Sequence, residues 1–299
     1  MTAASTITPA EPTDAPRGTS PRRLAVRRFF RHRLAVISLV LLILIALAVV
    51  ILPFVIRTDP NAIDLRNLQK PPSHAHPLGT DAAGRDVLAR LLAGGRVSLL
   101  VGLTVAVCAT VIGLILGAMA GYFGGWVDAV IGRLTDVVLS FPTLIVVIAV
   151  AGFVGPSLTT LIVAIALCEW PTACRIVRGL TLSLRQRDSV QAVIALGAGP
   201  WHILRRHIAV EVVAPLTVVS TILIAQVITL EAALSFLGLG VPPPTASWGN
   251  MLNAASSLTA LQKMPWMWLP PGIAIAVTIL AVNFVGDGLR DAVDPRQSR

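Results

Sequence analysis

The residues able to do chemistry in this chain are few and scattered. Two carboxylates, Glu169 and Glu231, interrupt long apolar runs. They lie in different runs with no histidine or metal ligand beside them, so the sequence does not present them as an acid–base pair. An acid inside an apolar run ordinarily faces protein or a water-filled cavity, and near a bilayer surface it can also snorkel. Both are candidates for a transmembrane path, and Glu231 also for a buried, hydrogen-bonded residue that fixes helix packing. His74 and His76 flank one another in a proline-bounded stretch without a third placed ligand, which is a loop pattern rather than a metal site. Cys108, Cys168 and Cys174 lie in apolar stretches without zinc-type spacing, and an odd count suits no closed disulfide set. No G-x-S-x-G, H-E-x-x-H or G-x-x-x-x-G-K-[ST] pattern occurs. The sequence therefore predicts no catalytic residue, no metal site and no ATP hydrolysis by this chain.

The stretch with most to do is polar-decorated and lies between apolar halves: DSVQAVIALGAGPWHILRRHIAVE, residues 188–211. It predicts two short helical pieces separated at GAGP, Gly197 to Pro200. The first is apolar at Val190, Val193, Ile194 and Leu196. The second sets Ile203, Leu204 and Ile208 opposite a basic edge of Arg205, Arg206 and His207. A rigid pair of this kind between two membrane spans reads as a docking element for something soluble.

Composition explains why the rest is so bare of chemistry. The 299 residues are 55% hydrophobic and 13% charged, with mean hydropathy +0.79, too few charges for a soluble surface. The predicted fold is all-α, a polytopic membrane protein with six transmembrane helices. Residues 1–33 form a basic tail expected to lack order, with a Thr-, Ala-, Pro- and Ser-rich start. The uncharged run 34–56, 23 residues and about 34 Å as a helix, is an uncleaved first span. Residues 57–96 are a polar segment on the far side, with an amphipathic helix expected over 81–96. The core, 97–287, holds five further spans: 97–121, 137–154, one from 157 or 158 that reaches Glu169 too soon to cross, 212–239, and 269–286. Glu169, Trp170 and Pro171 are accordingly expected in the inner half of the membrane or its interface. Residues 288–299 are a polar tail. In the second span Gly113, Gly117 and Gly121 recur every four residues, a stripe of small residues that lets another helix approach closely, in this chain or a partner.

The charge of +9 marks topology and lipid headgroups rather than nucleic acid, because the arginines cluster at span ends without an aromatic platform. Lys and Arg number seven in residues 1–33, six in 175–207 and three in 288–299, with Arg133 beside them; the other side has six in 57–96 and Lys263. Both termini and residues 188–211 are thus expected in the cytoplasm of a bacterial-type cell membrane.

Four blocks then carry a resemblance: HPLGTDAAGRDVLARLLAGGRVSL, GYFGGWVDAVIGRLTDVVLSFP, LEAALSFLGLGVPPPTASWGNML and NFVGDGLRDAVDPR, in order from about residue 76 to 296. The sequence resembles the dipeptide/oligopeptide/nickel permease family of ATP-binding-cassette importers, and is most similar to the second, C-type permease of the peptide systems. LSFLGLG with the P-x-x-x-W-G-N block is the more specific signal. The resemblance implies a type I importer permease fold with cytoplasmic coupling helices, and a loop whose glycine separates two helices seated in an ATPase subunit. Gly197 matches that glycine, Ala192 an alanine and Ile208 an isoleucine of the motif; Ala198, Ile203, Arg206 and His207 complete the candidate coupling set. Gln191 stands where glutamate is usual, Val193 replaces an alanine, and Ala209-Val210-Glu211 replaces leucine-proline-asparagine. The basic residues 205–207 either meet an acidic rim or serve topology.

The implied complex has a second, homologous permease chain, two ATPase domains that carry ATP and Mg, an extracytoplasmic substrate-binding protein, and membrane lipid around it. This chain itself needs no cofactor. The implied activity is ATP-driven import of di- and oligopeptides by alternating access, with nickel or another small solute as the alternative cargo. The spans lack a His/Met/Cys array for a metal path. A membrane-embedded enzyme using Glu169 and Glu231, and a passive channel, are the readings from other classes.

Overall fold

A computed structural model describes residues 21–293, with side chains from residue 26 onward. Among the described residues the chain is helical, with a single isolated bridge between Thr80 and Asp86. Residues 1–20 and 294–299 lie outside the described residues, so most of the expected disordered tail is not addressed. Its last part, Pro21–Arg31, is helix α1.

The uncharged run forms α2 (Arg33–Ile56), capped by His32, whose Nδ1 accepts the Ala35 N–H at 3.1 Å. Pro53 within α2 has no N–H for the carbonyl of Val49. Arg96 takes that carbonyl instead, donating from Nε to Val49 O and from a terminal nitrogen to Val50 O, both at 2.6 Å, with its guanidinium over the Phe54 ring.

The next helix corrects the expected boundary at residue 97. α3 (Val87–Phe123) is one rod of 37 residues that joins residues 87–96 of the expected amphipathic helix to the second span, while residues 81–86 stay outside it. Asp86 caps it, accepting from the Ala89 N–H at 2.8 Å. The charges that made the sequence look interrupted are accommodated: Arg96 reaches α2, and Arg90 lies near Asp81 and donates to Pro60 O. Before α3, residues 57–86 fold into a polar knot. Thr80 Oγ1 accepts from Lys70 N and donates to Asn67 O. Asp81 accepts from the backbone of Ala83 and Arg85 and from the Arg85 side chain. His76 meets Asp86 at 2.8 Å. The Asp64 carboxyl is held below its ordinary range by the N–H of Arg66 and then by the Asn67 amide.

The expected third span, 137–154, is broken. α4 (Gly125–Leu139) and α5 (Thr143–Val154) meet at an angle of 82° across Ser140–Pro142, so residues 137–139 belong to the first limb. Pro142 imposes the bend, because it cannot continue the α4 hydrogen-bond ladder. As the span length requires, α6 (Leu158–Arg185) continues through Glu169; it runs 28 residues and carries Pro171 inside it, placing Glu169 in mid-helix. Its inner charges are neutralised across the gap by α4: Arg178 pairs with Asp128 through both carboxylate oxygens, and Arg175 with Asp136 at 2.7 Å.

α7 (Asp188–Ala195) and α8 (Pro200–Ile203) follow. α8 does not stand alone: a π turn, Leu204–Ile208, joins it to α9 (Ala209–Phe236), so Pro200–Phe236 is a single rod. Two short helices, α10 (Trp248–Ala254) and α11 (Leu258–Lys263), precede α12 (Pro265–Val293), which is longer than the expected 269–286 and includes Pro270 and Pro271. Among the described residues five helices are long and apolar enough to cross a membrane, six if the bent α4–α5 pair is one crossing.

The core is built on α3. Cβ atoms added at Gly113, Gly117 and Gly121 would lie 2.6 Å from Ala173 Cβ, 2.5 Å from Cys174 O and 2.7 Å from Thr181 Cβ. The glycine stripe therefore seats α6, within this chain, with the two helices running parallel. About three turns nearer the start of α3, Gly102 admits Ile228 and Ile224 of the antiparallel α9.

Candidate functional site

Two sets of residues singled out by the sequence come together in different places. The first is the loop between α6 and α9. α7 ends in a Schellman motif: Gly197 N–H donates to Ile194 O at 2.9 Å and Ala198 N–H to Val193 O at 3.2 Å. That motif needs a left-handed residue, and Gly197 has φ +84°. Pro200 then starts α8 at its first turn, where a missing N–H costs nothing.

The loop has a buried base and a bare top. Val190, Ile203, Leu204 and Ile208 join Val177, Leu184, Val212 and Leu216 in one apolar cluster, with Tyr122 of α3 beneath it. Ile203 and Ile208 are fully buried, so they hold the element in place and present no surface of their own. Ala198 and His207 are partly buried, whereas Ala192, Gly197 and Arg206 are exposed. Two further residues face outward that the sequence reading placed elsewhere or passed over: Leu196, 87% exposed, and Trp201, 60% exposed. Trp201, His202, Arg205 and Arg206 line an open concavity of about 590 Å³. The signal for Leu196 was its place at the helix cap, immediately before the left-handed glycine, where the chain turns away from the base. The departure at Gln191 has a local use, since its Nε2 donates to Arg185 O at 2.9 Å.

The second set is the pair of intramembrane carboxylates, and the structure keeps them apart. Glu231 of α9 has no exposed surface; it accepts from Ser98 Oγ of α3 at 2.9 Å and from Ser235 Oγ at 2.7 Å. Ser98 Oγ in turn accepts the Trp248 N–H, so one sealed network ties α3, α9 and α10 together. Glu169 is only partly buried and accepts from Thr143 Oγ1 of α5 at 3.1 Å. The two are bonded to different helices, and neither has a histidine or cation as partner among the described residues. An acid–base mechanism shared between them has no geometry here. No group of three or more His, Cys, Asp or Glu able to hold a metal ion occurs among the described residues.

An all-helical bundle, a long gapless rod from a loop into a span, and a loop with a buried base and a bare top define a membrane permease subunit. Residues 113–299 match the family of the binding-protein-dependent transport system inner membrane component, and residues 20–72 match the N-terminal TM domain of oligopeptide transport permease C. The chain belongs to this family of ATP-binding-cassette importer permeases. It is 45% identical over 281 residues to a putative peptide permease protein of Brucella suis, covering 94% of this chain and 93% of that one. It is 40% identical over 281 residues to the glutathione transport system permease protein GsiD of Pectobacterium atrosepticum, covering 93% and 92%. Among solved structures, a chain of the inward-facing MetNI methionine ABC transporter matches with TM-score 0.57 and 18% identity, over 69% of this chain and 96% of that chain. That likeness supports the type I permease fold.

Proposed function

We propose that this chain is the membrane-spanning subunit of an importer that moves di- and oligopeptides into the cytoplasm, driven by ATP hydrolysis on separate ATPase subunits. Its named relatives are peptide and glutathione permeases, which favours peptide cargo over nickel. Both termini and the α7–α8 loop lie in the cytoplasm of a bacterial-type cell membrane, as the Lys and Arg distribution requires. The partners are a second homologous permease chain, two ATPase domains holding ATP and Mg, and an extracytoplasmic substrate-binding protein; this chain needs no cofactor of its own.

The observation that carries the reading is the construction of the loop. Its uncovered top, Ala192, Leu196, Gly197, Trp201 and Arg206, is shaped for a soluble partner. Its base is continuous with α9 through the π turn, a rod of 37 residues or about 55 Å. A displacement imposed at Trp201 is therefore delivered along α9 to the Glu231 network and, through the shared apolar cluster, to α6. Rigid-body rocking of packed helices of this kind exposes a cavity to one side of a membrane and then the other. The basic residues at 205 and 206 add an electropositive rim to the concavity.

The reading is tested by mild detergent purification of the tagged chain, followed by mass spectrometry of what accompanies it. Co-purification of an ATPase subunit and a second six-span chain, with ATP hydrolysis stimulated by peptide, is the expected result. A stable chain that comes alone, from cells that express all the subunits, contradicts it.

A further inference from the structure

Glu169 and Gln226 stand among several polar side chains of the membrane-spanning helices that are short of partners among the described residues, Thr181, Trp268 and Thr278 being others. Glu169 of α6 accepts one hydrogen bond, from Thr143, and no ion pair reaches it among the described residues. The cations further along α6 are spent: Arg175 on Asp136 and Arg178 on Asp128. Gln226 of α9 is exposed and has no hydrogen-bond partner among the described residues. It stands on the side of α9 away from Ile224 and Ile228, which pack on Gly102 of α3, and borders Leu223, one turn back on the same side, which lies in the main core. Glu231 makes the contrast: it is sealed, and both its oxygens are engaged.

A carboxylate or amide left bare to hydrocarbon costs several kcal/mol, so a span that carries one normally turns it to protein or to water. α3 provides a common ruler for their heights. Gln226 lies between the two isoleucines seated on Gly102, and Glu169 precedes Trp170, whose carbonyl faces Gly113. The two side chains are thus staggered by about 16 Å along the bundle, with Gln226 nearer the end that carries residues 57–86. An extended chain advances about 3.3–3.6 Å per residue, so the axial step alone corresponds to four or five residues.

Resting on the peptide-import reading, we infer that Glu169 and Gln226 are two polar steps of the peptide path, Glu169 taking the amino-terminal ammonium and Gln226 a main-chain amide. The chemistry fits both ends of the pairing. Every peptide with a free amino terminus carries an ammonium group that lacks an acceptor once it leaves water. A glutamine offers both a donor and an acceptor and therefore suits a peptide group whatever its side chain, as a path for varied sequences requires. Glu231 is excluded from the path because nothing passing through can reach it.

The test uses the full complex in liposomes: this chain, the second permease, the ATPases and the binding protein. ATP-driven uptake is measured for one labelled peptide and for its N-acetylated form, each at a concentration that saturates the binding protein, so that the membrane step is compared. The ratio of free to acetylated uptake falls about tenfold in Glu169→Gln, the worth of one charge-assisted hydrogen bond, and is largely kept in Glu169→Asp. A Glu169→Gln complex that transports with the ratio of the unmodified complex overturns the inference. A second readout does not depend on transport. In a chain with Cys108, Cys168 and Cys174 replaced by serine, Glu169→Cys and Gln226→Cys are exposed to a membrane-impermeant thiol reagent in the assembled complex. Modification that peptide slows supports the path, and two unreactive positions overturn it. If the unmodified complex moves no peptide, the import reading itself fails; if it moves peptide while both cysteines stay unreactive, only the path assignment fails.

Discussion

The two ends of the molecule are built on opposite plans. At the end carrying residues 57–86, the polar groups are answered within the chain. Asp81 collects two backbone N–H groups and Arg85, Thr80 bridges residues 67 and 70, and Trp266 Nε1 donates to Thr80 O at 3.4 Å. Ile63 and Leu65 are exposed there, but on a frame that hydrogen bonds hold. At the α7–α8 end the frame is apolar and buried, and what stands above it is bare: Leu196, Trp201, Arg205 and Arg206 have no side-chain bond among the described residues. One end is braced by its own hydrogen bonds. The other has a firm base and an unfinished surface, which is how a chain is built when a partner supplies the remainder.

That contrast can be broken by substitution, and the effects on stability fall in order. Gly117→Leu is the most severe, because a Cβ there already lies 2.5 Å from Cys174 O; about 3 kcal/mol or more is lost, read as failure to recover a monodisperse chain. Glu231→Gln comes next. It keeps the volume but leaves a serine hydroxyl of the sealed network without its acceptor, costing about 2 kcal/mol; the melting temperature falls while the free-to-acetylated uptake ratio stays as it was. Thr80→Val removes one donor and one acceptor from the polar knot and costs about 1–2 kcal/mol. It lowers the melting temperature without affecting ATP hydrolysis at the other end. Gly197→Asp costs only about 1 kcal/mol, the penalty for a left-handed residue, because nothing lies within 4 Å of its Cβ position. Glu211→Gln breaks an exposed 3.5 Å pair with Arg187 and changes the melting midpoint by less than about 0.5 kcal/mol.

Most of the architecture was written in the runs of uncharged residues, because a helix must satisfy its own backbone inside a bilayer. What the runs misplaced was the start of α3. Arg90 and Arg96 looked like the edge of a span, yet each finds acceptors on another part of the chain, Arg96 on the very carbonyl that Pro53 leaves free. Arg175 and Arg178 of α6 are answered in the same way, by Asp136 and Asp128 of α4. Charge balance across 40 to 50 residues of sequence has no local pattern to read. The elbow at Pro142 did carry a signal, but the long apolar run around it hid the break. In the docking loop the helix break at Gly197 was legible from GAGP. The burial of Ile203 and Ile208 opposite the basic edge was legible there too; the exposure of Trp201, and of Leu196 at the cap of α7, was not.

The central claim is that the bare loop is where an ATPase engine is coupled to the spans, and Gly197→Asp tests it most directly. The substituted chain is to be inserted, purified with its partner permease, and assayed in liposomes for ATP-driven peptide uptake beside the unmodified complex. The account predicts a chain that folds with a nearly unchanged melting temperature and an uptake that is lost. Uptake at the unmodified rate from a fully assembled Gly197→Asp complex would contradict it.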